Sequence, residues 1–152
     1  MRLEDYASFE LAKKLKRYGF VEPCMHSYTQ YTSDFVYDGD PDHPESHKKG
    51  DIHIYDFYNT NNDNERTTYS MPHLYEVQRW FRDRGIIAQP EFEEREKERG
   101  WEEGWTANSY HIESGASSYH PKLYKTYEEA LQQSCDMSLG WLNLPKTDSN
   151  KR

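Results

Sequence analysis

An acidic loop in the first half of the chain holds the residues with the clearest potential for chemistry. Carboxylate oxygens suit hard divalent cations, and imidazole nitrogens suit transition metals. The loop alternates carboxylates and then supplies two histidines. This pattern predicts a weak divalent-cation site and leaves open a divalent-metal-dependent hydrolase that uses the Asp and His residues of 38–53. The candidate ligands are Asp38, Asp40, Asp42, His43 and His47.

The spacing of this loop differs from that of a calcium-binding EF-hand. An EF-hand has glycine at its sixth position and a bidentate glutamate at its twelfth. His43 and Lys49 stand at those two positions here. Pro41 and Pro44 also prevent the two histidines from sharing one helical face. We therefore favour a solvated acidic loop and expect no cofactor, with a weak divalent cation as the alternative.

Tyrosines are the second group of candidate functional residues. The chain has 13 tyrosines, but Leu, Ile, Val and Phe together make up only 23 of its 152 residues. Tyrosine gives a large contact area with a polar tip, so a row of tyrosines on a sheet predicts a binding surface. A half-solvated sheet face explains the same pattern, and both interpretations stay open. The candidate binding residues are Tyr28, Tyr31, Tyr37, Tyr55 and Tyr58.

Nucleophilic catalysis has little support in the sequence. Cys24 stands two residues before His26, and an adjacent base can activate a thiol, but this spacing matches no nucleophile motif. Cys135 lies on the inward stripe of a predicted helix, where a thiol acts as a small apolar side chain. The sequence also has no glycine-rich phosphate loop and no zinc-finger spacing. We expect two reduced cysteines and lean toward a protein that is not an enzyme.

The charge of the chain narrows the class of partner. The net charge is −8, and residues 21–69 hold ten acidic against three basic residues. Nucleic-acid binding depends on cations that neutralise phosphates, so this balance argues against it. An acidic nucleic-acid mimic and a protein partner with a basic face stay open. Because no stretch approaches the ~18 apolar residues of a membrane span, we expect a cytoplasmic protein with no membrane partner.

Helix signals position both ends and the middle of the chain. Ser8 is the expected N-cap of a first helix, and Gly19 is its expected left-handed terminus. A second helix is predicted to begin near Ser70. A third begins at Thr126, which forms a capping box with Glu129, and ends near position 142.

Alternation of apolar and polar residues predicts the strands. They cover 28–37 (as one or two strands), 52–58, 86–92, 105–112 and 118–124. The segment 91–103 is interpreted as a charged connection, with a helical turn supported by ion pairs at four-residue spacing. Helices beside a mainly antiparallel sheet define an α+β fold with about three helices. We predict a single domain over 1–145 and a flexible tail at 146–152.

Three segments of the chain carry a family resemblance. They are 10–15 (ELAKKL), 80–82 (WFR) and 124–131 (YKTYEEAL). In these segments the chain resembles small uncharacterised proteins encoded by phages and prophages of gut Bacteroides. The resemblance implies a mobile-element origin, a location in the cytoplasm of the host bacterial cell, and an unidentified host or phage protein as partner. Self-association into a homodimer is a further option. The resemblance implies no activity and no site residues, so protein binding is the function that we expect.

Overall fold

The computed structural model describes residues 1–61 and 67–143. The predicted tail at 146–152 lies outside these residues. The chain divides into two compact units. One unit is Ala12–Pro72, and the other joins Met1–Leu11 to the chain from His73 onward. The prediction of a single domain stays a prediction.

The fold is α+β, as predicted. The helices are α1 (Phe9–Arg17), α2 (Leu74–Arg82) and α3 (Tyr127–Ser138), with 3-10 turns at Leu3–Asp5 and Leu139–Asn143. The strands are β1 (Ser27–Gln30), β2 (Ile52–Tyr55), β3 (Thr68–Ser70), β4 (Ile86–Ala88), β5 (Glu91–Lys97), β6 (Gly100–His111) and β7 (Ala116–Tyr124). They form two antiparallel sheets, of three and four strands. Within the described part of the chain, no helix combines the length and the apolar character needed to cross a membrane.

Helix α1 ends as its sequence predicts. Gly19 has a φ of +91°, a conformation that glycine adopts without the steric cost of a side chain. The N–H of Phe20 donates to the carbonyl of Leu15 at 2.9 Å, which is the long hydrogen bond of a Schellman ending. Both of those side chains are fully buried. The turn after α1 therefore places apolar side chains in the core.

The three-stranded sheet has the order β2-β1-β3. In its central strand, Tyr28 lies opposite Ile54 of β2 and Tyr69 of β3. A buried amide network links β3 to the segment that follows β2. In it, Asn59 Nδ2 donates to Ser70 Oγ at 2.8 Å. The backbone N–H of Ser70 in turn donates to the side-chain oxygen of Asn61, also at 2.8 Å.

This network corrects the predicted start of the second helix. We expected the helix to begin near Ser70, but Ser70 is the last residue of β3 and is 1% exposed. Its hydroxyl and its backbone are both used by the neighbouring asparagines, so the residue belongs to the sheet. The helix begins at Leu74, with His73 as its N-cap. The inner stripe of α2 is buried, and it consists of Leu74, Val77, Trp80 and Phe81.

The four-stranded sheet is organised around the long strand β6. Strands β4 and β5 follow each other along one edge of β6 in one register, interrupted at Pro90, and β7 lies along the other edge. The interpretation of 91–103 as a charged connection with a helical turn was wrong, because β5 and β6 form a hairpin there. Gly100 follows the turn with a φ of +95°. Ion-pair spacing along a helix gave no information about pairing across two strands.

Helix α3 packs on one face of β6 through small polar side chains. The Thr126 hydroxyl accepts from the N–H of Glu129 at 3.1 Å, so the predicted N-cap is confirmed. Ser134 Oγ accepts from the backbone N–H of Asn108 at 3.0 Å. One turn later, the hydroxyls of Ser138 and Ser109 lie 2.6 Å apart. These short side chains let the helix backbone approach the sheet closely.

Candidate functional site

An open pocket of about 520 Å³ lies in the unit that contains the three-stranded sheet. We call it the tyrosine–imidazole pocket. Most of the described residues that line it are aromatic, and one of them is an acid. The lining residues are Tyr31, Phe35, Pro44, Glu45, His47, His53 and Tyr55.

Two elements bring these residues together. Strand β2 supplies His53 and Tyr55, which are two residues apart and therefore project to the same side. The remaining residues come from the segment 31–47, which begins just after β1 and folds back on itself. Phe35 and His47 exchange two backbone hydrogen bonds of 2.8 Å.

Carboxylates hold this segment in its folded shape. Lys49 N–H donates to Asp34 at 2.7 Å, and Asp42 N–H donates to Asp40 at 2.9 Å. Aspartates in such positions satisfy turn amides that would otherwise lack a partner. The acidic side chains of the loop thus contribute to its conformation.

The rings of the pocket stack on one another. The Tyr31 and His47 rings lie 3.5 Å apart between centroids and are tilted by 16°. Phe35 stacks on the same imidazole at 5.6 Å, while His53 meets Tyr31 edge-on at 5.0 Å. Imidazole therefore lies between two aromatic rings. The stack forms a preformed wall, and its ring faces and edges suit contact with another planar or apolar group.

The polar tips of two rings are paired within the pocket. The hydroxyls of Tyr31 and Tyr55 form a hydrogen bond with each other. This bond, together with partial burial, raises the pKa of Tyr31 to about 12. Tyr31 is therefore neutral over the physiological pH range. The pair of hydroxyls keeps one hydrogen that can donate to a ligand, and its oxygen lone pairs can accept. Among the described residues, Glu45 is the only one that brings a carboxylate to the lining.

The structure separates the five predicted tyrosines into four groups. Tyr31 and Tyr55 line the pocket. Tyr37 stacks on His43 at 3.9 Å outside the lining. Tyr28 is only 7% exposed, and burial raises its pKa to about 12. Tyr58 is 62% exposed and does not contact the pocket.

The predicted metal ligands do not converge. His43 and His47 stack on different tyrosines, and His43 Nδ1 accepts from the N–H of Glu45 at 3.1 Å. Asp38 has a φ of +42° and lies in the turn before Gly39. Across 1–61 and 67–143, no group of three or more His, Cys, Asp or Glu side chains is arranged to hold a metal ion. The alternative of a weak cation site stays a prediction.

No sequence pattern had indicated that four of the lining residues form a pocket. They are Phe35, Pro44, Glu45 and His53. His53 had a usable signal, because it alternates with Ile52 and Ile54 and so shares a side with Tyr55. Phe35 had none, because its position depends on its pairing with a residue 12 positions later. The pocket is thus formed by loop closure.

The cysteines are placed as the sequence predicts for inert thiols. Cys24 is 4% exposed, and its thiol donates to the carbonyl of Glu22 at 3.5 Å. Cys135 is completely buried, and this burial raises the pKa of its thiol. A raised pKa disfavours the thiolate, which is the reactive form.

Comparisons with protein-family models, with curated proteins and with solved structures found no match. Function is therefore inferred from the geometry of the pocket. Stacked rings, paired hydroxyls and a single carboxylate equip the pocket for binding through shape and hydrogen bonds.

Proposed function

We propose that the protein is a non-enzymatic protein-interaction module, and that a peptide segment of its partner binds in the tyrosine–imidazole pocket. One observation carries the proposal. Tyr31, His47 and Phe35 form a continuous stack beside an open pocket of about 520 Å³. Concave sites with aromatic walls and a few convergent polar groups are typical of ligand-binding sites.

The lining favours a segment with a proline or aromatic anchor. Aromatic walls bind proline-rich segments because the rings contact a side chain that has already lost most of its conformational freedom. The Tyr31 and Tyr55 hydroxyls line the pocket, where the hydrogen that their mutual bond leaves unused can donate to a carbonyl of an extended peptide. With only one carboxylate in the lining, this recognition depends little on charge.

The partner in this proposal is a host or phage protein in the cytoplasm of the host bacterial cell. Two arguments support it. The resemblance to phage and prophage proteins favours a mobile-element origin, and the net charge of −8 disfavours nucleic acid as the ligand. A second copy of the chain is the alternative partner, because self-association also uses exposed aromatic surface.

Selection from a displayed random-peptide library tests the proposal. The full chain is the bait, and each enriched peptide is then measured against His47→Ala, which removes the middle ring of the stack. We expect the enriched peptides to share a proline or aromatic anchor. Truncating a residue at the centre of an interface costs 2 kcal/mol or more in favourable cases, so His47→Ala should weaken binding by about tenfold or more.

Tyr58→Ala is the matched control. Tyr58 is exposed, lies in the same unit and does not line the pocket, so its truncation should change the affinity less than about twofold. Circular dichroism and urea unfolding of each variant separate lost binding from lost folding. Peptides that bind wild type and His47→Ala equally, or a library that yields no binder, would contradict the proposal.

A further inference from the structure

The β5–β6 hairpin has two faces with opposite electrostatic arrangements. The register pairs Phe92 with Trp105, Glu94 with Glu103 and Glu96 with Trp101, so these six side chains share one face. We call it the aromatic–acidic face. The other face carries Glu91, Glu93, Arg95, Lys97 and Glu102, and we call it the ion-paired face.

Every carboxylate of the ion-paired face has a partner within the sheet. Arg95 donates to Glu93 at 2.8 Å, and Lys97 lies 2.9 Å from Glu102. The Tyr110 hydroxyl donates to Glu91 at 2.6 Å. The hydrogen bond from Arg95 is the main cause of a lowered pKa at Glu93. This face therefore needs nothing from outside to balance its charges.

The carboxylates of the aromatic–acidic face have no such partners. The side chains of Glu94, Glu96 and Glu103 are exposed. None of these three carboxylates forms an ion pair or a hydrogen bond with any residue that the structure describes. Glu94 and Glu103 also lie directly opposite each other. Like charges in that position destabilise a strand pair. The hairpin therefore holds two like charges side by side, and no ion pair in the described chain neutralises either of them.

Large aromatic rings alternate with these carboxylates. Trp101 is 71% exposed and Phe92 is 52% exposed, although both residues belong to regular strands. Phe92 meets Trp105 edge-on at 5.4 Å, and Trp105 meets Tyr127 of α3 edge-on at 5.1 Å. The inner ring is thus fixed against the helix, while the outer rings are open to a partner. Exposed rings beside carboxylates offer cation–π contact and charge pairing at the same place.

We propose that the aromatic–acidic face binds an extended, basic segment of a partner protein. Side chains that share a face of a strand are about 6.6–6.8 Å apart, and alternate side chains of an extended peptide have the same spacing. Lys or Arg residues at every second position can therefore reach the carboxylates while their stems cover the rings. This face lies wholly within the unit that includes the chain from His73 onward, whereas the pocket lies in Ala12–Pro72. The inference therefore does not depend on the proposed pocket.

The charges of the chain select this occupant over two others. Nucleic-acid phosphates are repelled by three carboxylates that lack counter-charges. A second copy of the chain carries a net charge of −8, so it is repelled by the same carboxylates, whereas a basic segment is attracted. An extended basic segment can pair with the carboxylates and cover the exposed rings at the same time.

The test uses a labelled synthetic peptide that alternates Lys or Arg with Thr, and its binding to the full chain is followed by fluorescence polarisation. We expect the double substitution Glu94→Gln/Glu103→Gln to weaken binding by about tenfold or more, and Trp101→Ala to do the same. Glu91→Gln/Glu102→Gln is the matched control, since it removes two charges from the other face of the same hairpin. It should change the affinity less than about threefold.

Three results would overturn the inference. The first is a wild-type protein that does not bind the peptide. The second is an equal loss of affinity in the two double variants, because that would show general attraction between opposite net charges. The third is a concentration-dependent dimer, measured by sedimentation equilibrium, that dissociates in Glu94→Gln/Glu103→Gln, because that would make a second copy the occupant. The Glu94 and Glu103 carboxylates form no hydrogen bonds in the described chain, and a glutamine at 91 or 102 keeps an oxygen that can accept from Tyr110 or Lys97. Both double variants should therefore keep the wild-type circular dichroism spectrum.

Discussion

The tyrosine–imidazole pocket and the aromatic–acidic face of the β5–β6 hairpin are both rich in aromatic rings, but they treat their polar groups differently. In the pocket, the hydroxyls of Tyr31 and Tyr55 bond to each other. On the hairpin, Glu94 lies opposite Glu103 and neither carboxylate has a partner in the described chain. In our two proposals, the pocket therefore recognises its ligand by shape and the hairpin recognises its ligand by charge.

This difference has a physical consequence for binding. A preformed pocket with satisfied polar groups loses little entropy when it binds, so its affinity depends on fit. A face with unpaired charges depends on the Coulomb term, which salt screens over about 8 Å at physiological ionic strength. Charge-selective and shape-selective surfaces should therefore respond to different perturbations.

The largest effect is expected for Glu94→Lys. A lysine at this position would repel the basic peptide and form a favourable cross-strand pair with Glu103. We expect binding of the basic peptide to fall by about a hundredfold, while the free energy of unfolding rises by about 0.5 kcal/mol. Fluorescence polarisation and urea unfolding measure the two quantities. Lower stability together with retained binding would show that Glu94 has a structural role.

Gly104→Ala tests whether the hairpin surface depends on the pairing of β6 with β7. A Cβ at this position would lie 2.7 Å from the carbonyl oxygen of Tyr124, which is backbone and cannot move away easily. We expect a loss of about 2 kcal/mol in the free energy of unfolding and weaker binding of the basic peptide.

The library-selected peptide provides the control for Gly104→Ala. The pocket is built from residues of 31–55 in the other unit, so its affinity for that peptide should be unchanged while the variant stays folded. An equal loss of affinity for both peptides would contradict this account, because it would show that the two surfaces are not independent.

Salt separates the two surfaces without any mutation. Raising NaCl from about 50 mM to about 500 mM should weaken binding of the basic peptide by about tenfold, because the hairpin contact depends on exposed charges. The library-selected peptide should change by less than about twofold over the same range, since the pocket lining holds one carboxylate. Isothermal titration calorimetry measures both. Equal salt dependence would remove the distinction between shape and charge.

The smallest expected effect is a change in the pKa of Tyr31 in the pocket. The hydrogen bond with Tyr55 is the main cause of the raised pKa of Tyr31, at about 12. Because the folded-state pKa lies above the ordinary value near 10, this contribution to stability is complete below about pH 10 and is lost as the pH rises toward 12. Tyr55→Phe should bring the pKa of Tyr31 down toward 10. Nuclear magnetic resonance of ¹³C-labelled tyrosine follows this titration, and an unchanged Tyr31 curve would show that Tyr55 is not the cause.

Local signals explain which parts of the fold were predictable. Gly19 and Thr126 mark helix ends through backbone conformation and capping, and both were confirmed because these effects depend on a few neighbouring residues. The hairpin of β5 and β6 was missed because Glu, Lys and Arg fit a solvated helix turn as well as a solvated strand. Only Phe92, Trp101 and Trp105 mark the alternation, and they are separated by long charged stretches.

Non-local contacts explain why the pocket could be predicted only in part. The tyrosine pattern indicated Tyr31 and Tyr55, and both line the pocket. His47 was a candidate ligand in the alternative of a weak cation site, and its ring stacks on Tyr31 in the folded chain. The sequence shows that an imidazole is present at position 47, but it does not indicate which aromatic ring that imidazole stacks on in the fold. The side of β2 that carries Ile54 is the more exposed one, at 38%, so hydrophobicity alone would also have misplaced the inner face of this strand.

Amide shift mapping tests the central claim most directly. Uniformly ¹⁵N-labelled full-length protein is titrated with the library-selected peptide, and chemical-shift changes are followed for every assigned backbone amide. We predict that the largest changes fall within 31–55, around Tyr31, His47 and Tyr55, and that amides of β5 remain unchanged. Changes centred on the β5–β6 hairpin, or spread evenly over the chain, would contradict the assignment of the tyrosine–imidazole pocket as the peptide-binding site.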